Sequence, residues 1–230
     1  MRLLSQIKNS PVLVRVVPFA FFLALTSAQN AFGDDARFWI YLAKTILGAW
    51  MLWELRPRLE EMRWTPSGAA LGVGTVCFML WVGLVPAFQS LGLPSSFAEL
   101  KVAGHPWNPP AQFGAQSGLA WFFVAVRLLG STLIVPPLEE VFFRSFVYRY
   151  LAKPDFLSVP LGQFRWTPFL LTSAIFAVEH REWLAGLLCG CAFQGLVCWK
   201  KRLGDAIAAH ALTNLLLGLW VVGKGAWNFW

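Results

Sequence analysis

The chain is written almost entirely as apolar stretches of bilayer-crossing length, separated by short polar breaks. They fall at about 12–32, 38–55, 67–91, 117–135, 138–152, 167–181, 184–199 and 204–222. In hydrocarbon no water satisfies a backbone N–H or C=O, so such segments fold as helices or as strands of a closed barrel. A spanning helix needs about 20 residues, and the 230-residue chain has room for roughly seven or eight of them. The expected fold class is an all-α integral membrane protein, a bundle of about seven to eight transmembrane helices around a polar cavity. Residues 1–230 read as a single transmembrane domain. Residues 1–115 supply N-terminal helices to which the sequence assigns no role, and residues 116–222 form the catalytic helical core with the three motifs described below.

Composition agrees with a lipid solvent. The chain is 57% hydrophobic and 13% charged, where a soluble domain is nearer a quarter charged. The net charge of +7 does not imply nucleic acid. The basic residues gather at the ends of apolar runs, as in Arg56, Arg58 and Arg63 and in Lys200-Lys201-Arg202. That pattern belongs to cytoplasmic anchors and contacts with anionic lipid headgroups. Cys77, Cys189, Cys191 and Cys198 all lie in apolar stretches. Cys189 and Cys191 project about 200° apart on a helix, so they read as small packing residues and not as a metal or disulfide pair. The run from Val12 to Phe32 contains Pro18 and no clear cleavage site, so it reads as a retained first span.

Orientation follows from the basic residues. Arg2 and Lys8 precede the first run, Asp34 and Asp35 follow it, and Arg56 to Arg63 follow the second. The N-terminus is then cytoplasmic, in a multi-pass protein of the cell's inner (plasma) membrane, and the loop containing Lys101 lies outside. Two crossings between Ser117 and Leu151 would put Lys200-Lys201-Arg202 outside. One long broken element puts that cluster inside, together with Arg144, Arg149, Lys153 and Arg165. Pro136-Pro137 supplies the expected break, since a helix interior loses a hydrogen bond at each proline. Irregular backbone at membrane depth requires burial or a wet cavity, so a cavity is expected beside Glu139.

Three short motifs carry polar groups into these apolar runs: Glu139-Glu140-x-x-x-Arg144, Phe176-x-x-x-His180 and His210-x-x-x-Asn214. Ionisable residues in a membrane segment point to function. A helix restarting after Pro137 would hold Glu139 and Glu140 in its first turn, where free N–H groups favour carboxylates. Glu140 and Arg144 are four apart and can pair on one face, which leaves Glu139 to face the cavity as a general base. His210 and Asn214 share a helical face and can hold a developing oxyanion. His180 can position a water jointly with Glu139, with Phe176 packed beneath it. Lys44 is expected to snorkel to the interface, His105 to be a surface residue, and Arg127 has no account from sequence.

At these motifs the sequence resembles the CPBP family, which includes the type II CAAX prenyl endopeptidases and bacterial relatives linked to bacteriocin processing and immunity. The family pattern E-E-x-x-x-R, F-x-x-x-H and H-x-x-x-N or D stands intact and in order over residues 139–214. One departure is Ser145, where many members carry glycine. The N-terminal layout, with Trp39, Trp50, Trp53 and Trp64, is similar to bacterial CAAX-protease-related proteins found with exosortase systems. The resemblance implies a glutamic-type intramembrane endopeptidase without a metal or other cofactor. Glu139 and His180 would activate water, His210 and Asn214 would stabilise the oxyanion, and Glu140 and Arg144 would support the site. The partners implied are a lipidated or membrane-anchored peptide or protein, membrane lipids and an exosortase or protein-sorting system.

Two other readings fit the same residues. Glu139, His180 and His210 are a conceivable zinc ligand set with water as fourth ligand, although no H-E-x-x-H occurs. A non-catalytic immunity or scaffold protein, or a proton-relaying transporter, could also bury Glu and His. No pair of matching broken helices of the inverted-repeat kind stands out.

Overall fold

The computed structural model describes residues 2–29, 32, 33, 35–92 and 106–230. Lys101 and His105 lie outside the described residues. Within them every element is helical and no strand forms. The helices are α1 (Arg2–Asn9), α2 (Leu13–Ala28), α3 (Ala36–Leu55), α4 (Gly68–Ser90), α5 (Pro109–Phe113), α6 (Gly118–Ala152), α7 (Trp166–Val178), α8 (Trp183–Lys200) and α9 (Gly204–Lys224). Length and composition alone qualify four helices as membrane-crossing: Gly68–Phe88 within α4, α6, α8 and α9. The apolar α2 and α7 are shorter. The all-α membrane fold is as expected; length and composition mark out fewer crossings than seven or eight.

The largest departure from expectation is α6. Pro136-Pro137 does not end the helix, which runs for 35 residues. The reason is a widened turn just before the prolines. Gly130–Ile134 is π-helical, and the N–H of Val135 bonds to the carbonyl of Gly130, five residues back. The prolines then occupy the first positions of the α segment Val135–Glu140, where a missing N–H is tolerated. A second π turn, Val141–Val147, follows. Because the helix continues, Glu139 and Glu140 sit in its middle and not at a fresh N-terminus. At 1.5 Å per residue α6 is about 52 Å long, well beyond the roughly 30 Å of bilayer hydrocarbon.

Small residues bring the helices that carry the motifs close together. A methyl group on Gly74 of α4 would stand 2.6 Å from the carbonyl oxygen of Ala209 in α9, and the Thr213 hydroxyl donates to the Gly74 carbonyl at 3.0 Å. Methyl groups on Gly186 and Gly190 of α8 would lie 3.2 Å from Ala177 Cα and Ser173 Cα of α7. These glycines therefore serve packing within the chain. Cys77 and Cys189 are buried free thiols between α4 and α8.

One end of the bundle is tied by buried charges. The Arg15 guanidinium donates to Glu61 (2.9 Å) and to the Ser145 hydroxyl (3.0 Å). Ser145 in turn donates to Glu61 at 2.6 Å, and Arg149 donates to the Ser145 carbonyl at 3.3 Å. Ser145, the residue that departs from the family's glycine, is thus the junction joining α2, the Glu60–Met62 turn and α6. Nearby, Asp205 is wholly buried and takes hydrogen bonds from Arg202, Ser67 and Thr65.

Candidate active site

A cavity of about 310 Å³ lies between α2, α3, α4, α6, α7, α8 and α9, and Glu139, Phe176, His180, His210 and Asn214 all line it. Five residues from three separate sequence motifs thus meet in one place. Glu140 and Arg144 lie behind this wall with side chains 0% exposed.

Glu140 holds two partners at once. Its Oε2 lies 3.2 Å from Nε of Arg144, close enough for an ion pair but without hydrogen-bond alignment. Its Oε1 accepts from Nδ1 of His210 at 2.9 Å. Sequence spacing anticipated only the first partner. Arg144 also donates to the Gly190 carbonyl at 3.4 Å and stands 4.3 Å over the Phe176 ring. Phe176 thus packs under Arg144 as well as under His180, whose ring centroid is 4.4 Å away.

With Nδ1 of His210 donating to Glu140, its Nε2 points toward Glu139, 3.9 Å from Oε2. That is beyond direct hydrogen-bond length. The ring is stacked on Phe193, 5.0 Å between centroids. Such a carboxylate behind an imidazole fixes its tautomer and orientation. Glu139 has a 13% exposed side chain, and its Oε2 accepts no hydrogen bond from the protein.

His180 lies in the turn between α7 and α8. Its Nδ1 is 2.7 Å from the Phe176 carbonyl. A carbonyl only accepts, so Nδ1 carries the proton and Nε2 keeps its lone pair. Burial pushes the imidazolium down to about 4, so the ring is neutral at pH 7. Trp81 meets it edge-on at 5.3 Å.

Asn214 has a partner that the sequence spacing did not indicate. Its Nδ2 donates to the Ser131 carbonyl at 2.8 Å. That carbonyl is available because of the prolines: in the π register its partner would be the N–H of residue 136, and Pro136 has none. Asn214 therefore anchors α9 to the widened turn of α6, and its second amide hydrogen remains for the cavity.

Lys44 and Arg127 also line the cavity, and neither position was assigned to the site from sequence. Lys44 is 3% exposed and does not reach for the interface. The available signal was that both are charges inside apolar helices. Among the described residues, no three His, Cys, Asp or Glu side chains come close enough to hold a metal; Nδ1 of His210 is already engaged by Glu140.

Residues 117–216 match a family model described as "Rce1-like: Type II CAAX prenyl endopeptidase Rce1-like". No curated protein and no solved structure matches the chain. The matched segment contains all three motifs, and it stops short of the tryptophan-bearing N-terminal helices on which the likeness to exosortase-associated proteins rests. Over residues 117–216 the chain is similar to the type II CAAX prenyl endopeptidase Rce1-like family, the family that its three motifs resemble.

Proposed function

We propose that this protein is a membrane endopeptidase that hydrolyses a peptide bond with a water activated by Glu139 and His180. The observation that carries the reading is the convergence of Glu139, His180, His210 and Asn214 on one cavity, with buried Glu140 bridging Arg144 and His210. Water between Glu139 and the lone pair of His180 gives up a proton as its oxygen attacks the carbonyl carbon. The oxyanion takes hydrogen bonds from Nε2 of a protonated His210 and from the free amide hydrogen of Asn214. When the C–N bond breaks, the proton held by Glu139 passes to the leaving amine. No covalent acyl-enzyme is needed.

In this reading the substrate is a lipidated or membrane-anchored peptide or protein, and the protein is multi-pass in the inner membrane. The basic end that holds Arg15, Arg149 and Lys201 is cytoplasmic, together with the N-terminus. Purified protein in detergent, incubated with a complex peptide library, tests the activity. New cleavage ends are expected with wild type, are expected to persist after chelation, and are expected to be absent with Glu139→Gln. Cleavage that disappears on metal stripping would support the zinc alternative built on Glu139, His180 and His210.

A further inference from the structure

The wall of the cavity formed by α2, α3 and the start of α6 carries two cations, Lys44 and Arg127, across the cavity from the carboxylates Glu139, Glu179 and Glu182. Lys44 donates to the Thr26 hydroxyl at 2.8 Å, and its ammonium lies 4.6 Å from the Phe22 centroid and 4.5 Å from that of Tyr41. Arg127 is caged by three rings, 5.0 Å from Tyr41, 4.6 Å from Trp107 and 5.3 Å from Trp230. Neither forms an ion pair among the described residues, and there the Arg127 guanidinium has no hydrogen-bond acceptor. Tyr41 touches both cations and donates to the Arg127 carbonyl at 3.3 Å.

Two like charges in a low-dielectric setting repel and lose hydration. Ring faces offset part of that cost, and the three rings around the guanidinium supply no hydrogen-bond acceptor for its N–H groups. A guanidinium fork suits a planar oxyanion held by two parallel hydrogen bonds. Thr26 and the two rings hold the ammonium of Lys44 in the same cavity.

We propose that Lys44 and Arg127 form an anion subsite that receives a carboxylate of the peptide substrate, at a chain end or on an acidic side chain. The assignment rests on the peptidase reading, in which the same cavity holds the scissile bond beside Glu139. The subsite then selects peptides by a negative charge near the cleaved bond, and it orients them across the cavity.

Binding tests this separately from cleavage. The full chain carrying Glu139→Gln is purified in detergent and titrated with an acetylated tetraleucine peptide bearing a free C-terminal carboxylate, with its C-terminal amide, and with phosphatidylglycerol. The carboxylate peptide is expected to bind about tenfold or more tightly than the amide, the scale of one charge-assisted contact. Arg127→Gln and, independently, Lys44→Met are expected to remove that preference; if one fails to fold, the other decides. Equal affinity for carboxylate and amide overturns the proposal, as does a preference that survives both substitutions. Phosphatidylglycerol binding that depends on both residues, with no preference among the peptides, assigns the anion to lipid and overturns the peptide assignment. Loss of cleavage by the otherwise wild-type chain would count against the peptidase reading and leave this binding result standing.

Discussion

Glu140 and His210, seventy positions apart, are joined by a 2.9 Å hydrogen bond from Nδ1 to a carboxylate that is wholly buried. The same carboxylate faces Arg144 at 3.2 Å. Glu140→Ala strands the Arg144 charge and frees the imidazole, so it is expected to cost about 3–5 kcal/mol of stability. Glu139→Gln removes a group whose Oε2 has no protein hydrogen bond, so it is expected to leave the melting temperature within a few degrees while abolishing cleavage. Melting curves in detergent beside a cleavage assay separate the two. Equal destabilisation by both variants would contradict the division between a reacting and a supporting carboxylate.

In the proposed mechanism Asn214 has a structural and a chemical role. Asn214→Ala loses the bond to the Ser131 carbonyl, about 1 kcal/mol. It also loses the oxyanion donor, about 10²–10³ in kcat. A kcat loss under tenfold would leave Asn214 with the anchoring role alone.

The pH profile follows from His180. Burial holds its imidazolium at about 4, and the proposed reaction needs the neutral ring. Activity is therefore lost as pH falls toward about 4, and not near the ordinary histidine value of about 6.5. The stability contribution has the same sign: the unfolded chain binds the proton more readily, so stability declines as pH drops from about 6.5 toward 4. An acidic limb of kcat/KM centred near 6.5 would contradict the assignment.

The Ser145 junction predicts acid sensitivity of a different origin. Burial acts to raise Glu61, but the hydrogen bond from Ser145 and the charge of Arg15 outweigh it and hold the carboxyl below its usual value. A depressed carboxylate stabilises the fold above its unfolded pKa, and that stabilisation is lost as pH falls through the folded value. Ser145→Gly is expected to lower the melting temperature at pH 7 and to weaken its fall on acidification. An unchanged melting temperature would show that the junction contributes nothing.

Much of this site was legible in the sequence because its signals are local. Apolar runs give the all-helical fold, and the i,i+4 spacing of Glu140 and Arg144 gives an ion pair. What was not legible depends on long-range placement. The Glu140–His210 bond requires knowing how α6 and α9 cross. Pro136-Pro137 reads as a break only if the preceding turn stays α-helical; its widening to a π turn keeps α6 whole and frees the Ser131 carbonyl for Asn214. Lys44 reads as a snorkelling residue from its own helix, because the Phe22 and Thr26 side chains that help hold it inside come from α2. Ser145 reads from sequence only as a departure from glycine, because Arg15 and Glu61 lie far away in the chain.

The central claim is that Glu139 performs peptide hydrolysis, and a comparison of protein termini in cells tests it most directly. Cells expressing wild type and Glu139→Gln at equal membrane level are compared by proteomics of N- and C-termini. The account predicts new termini, from one or a few membrane-associated proteins, that appear only with wild type. An identical set of termini in both, with the cellular phenotype preserved in Glu139→Gln, would contradict it and favour the non-enzymatic reading.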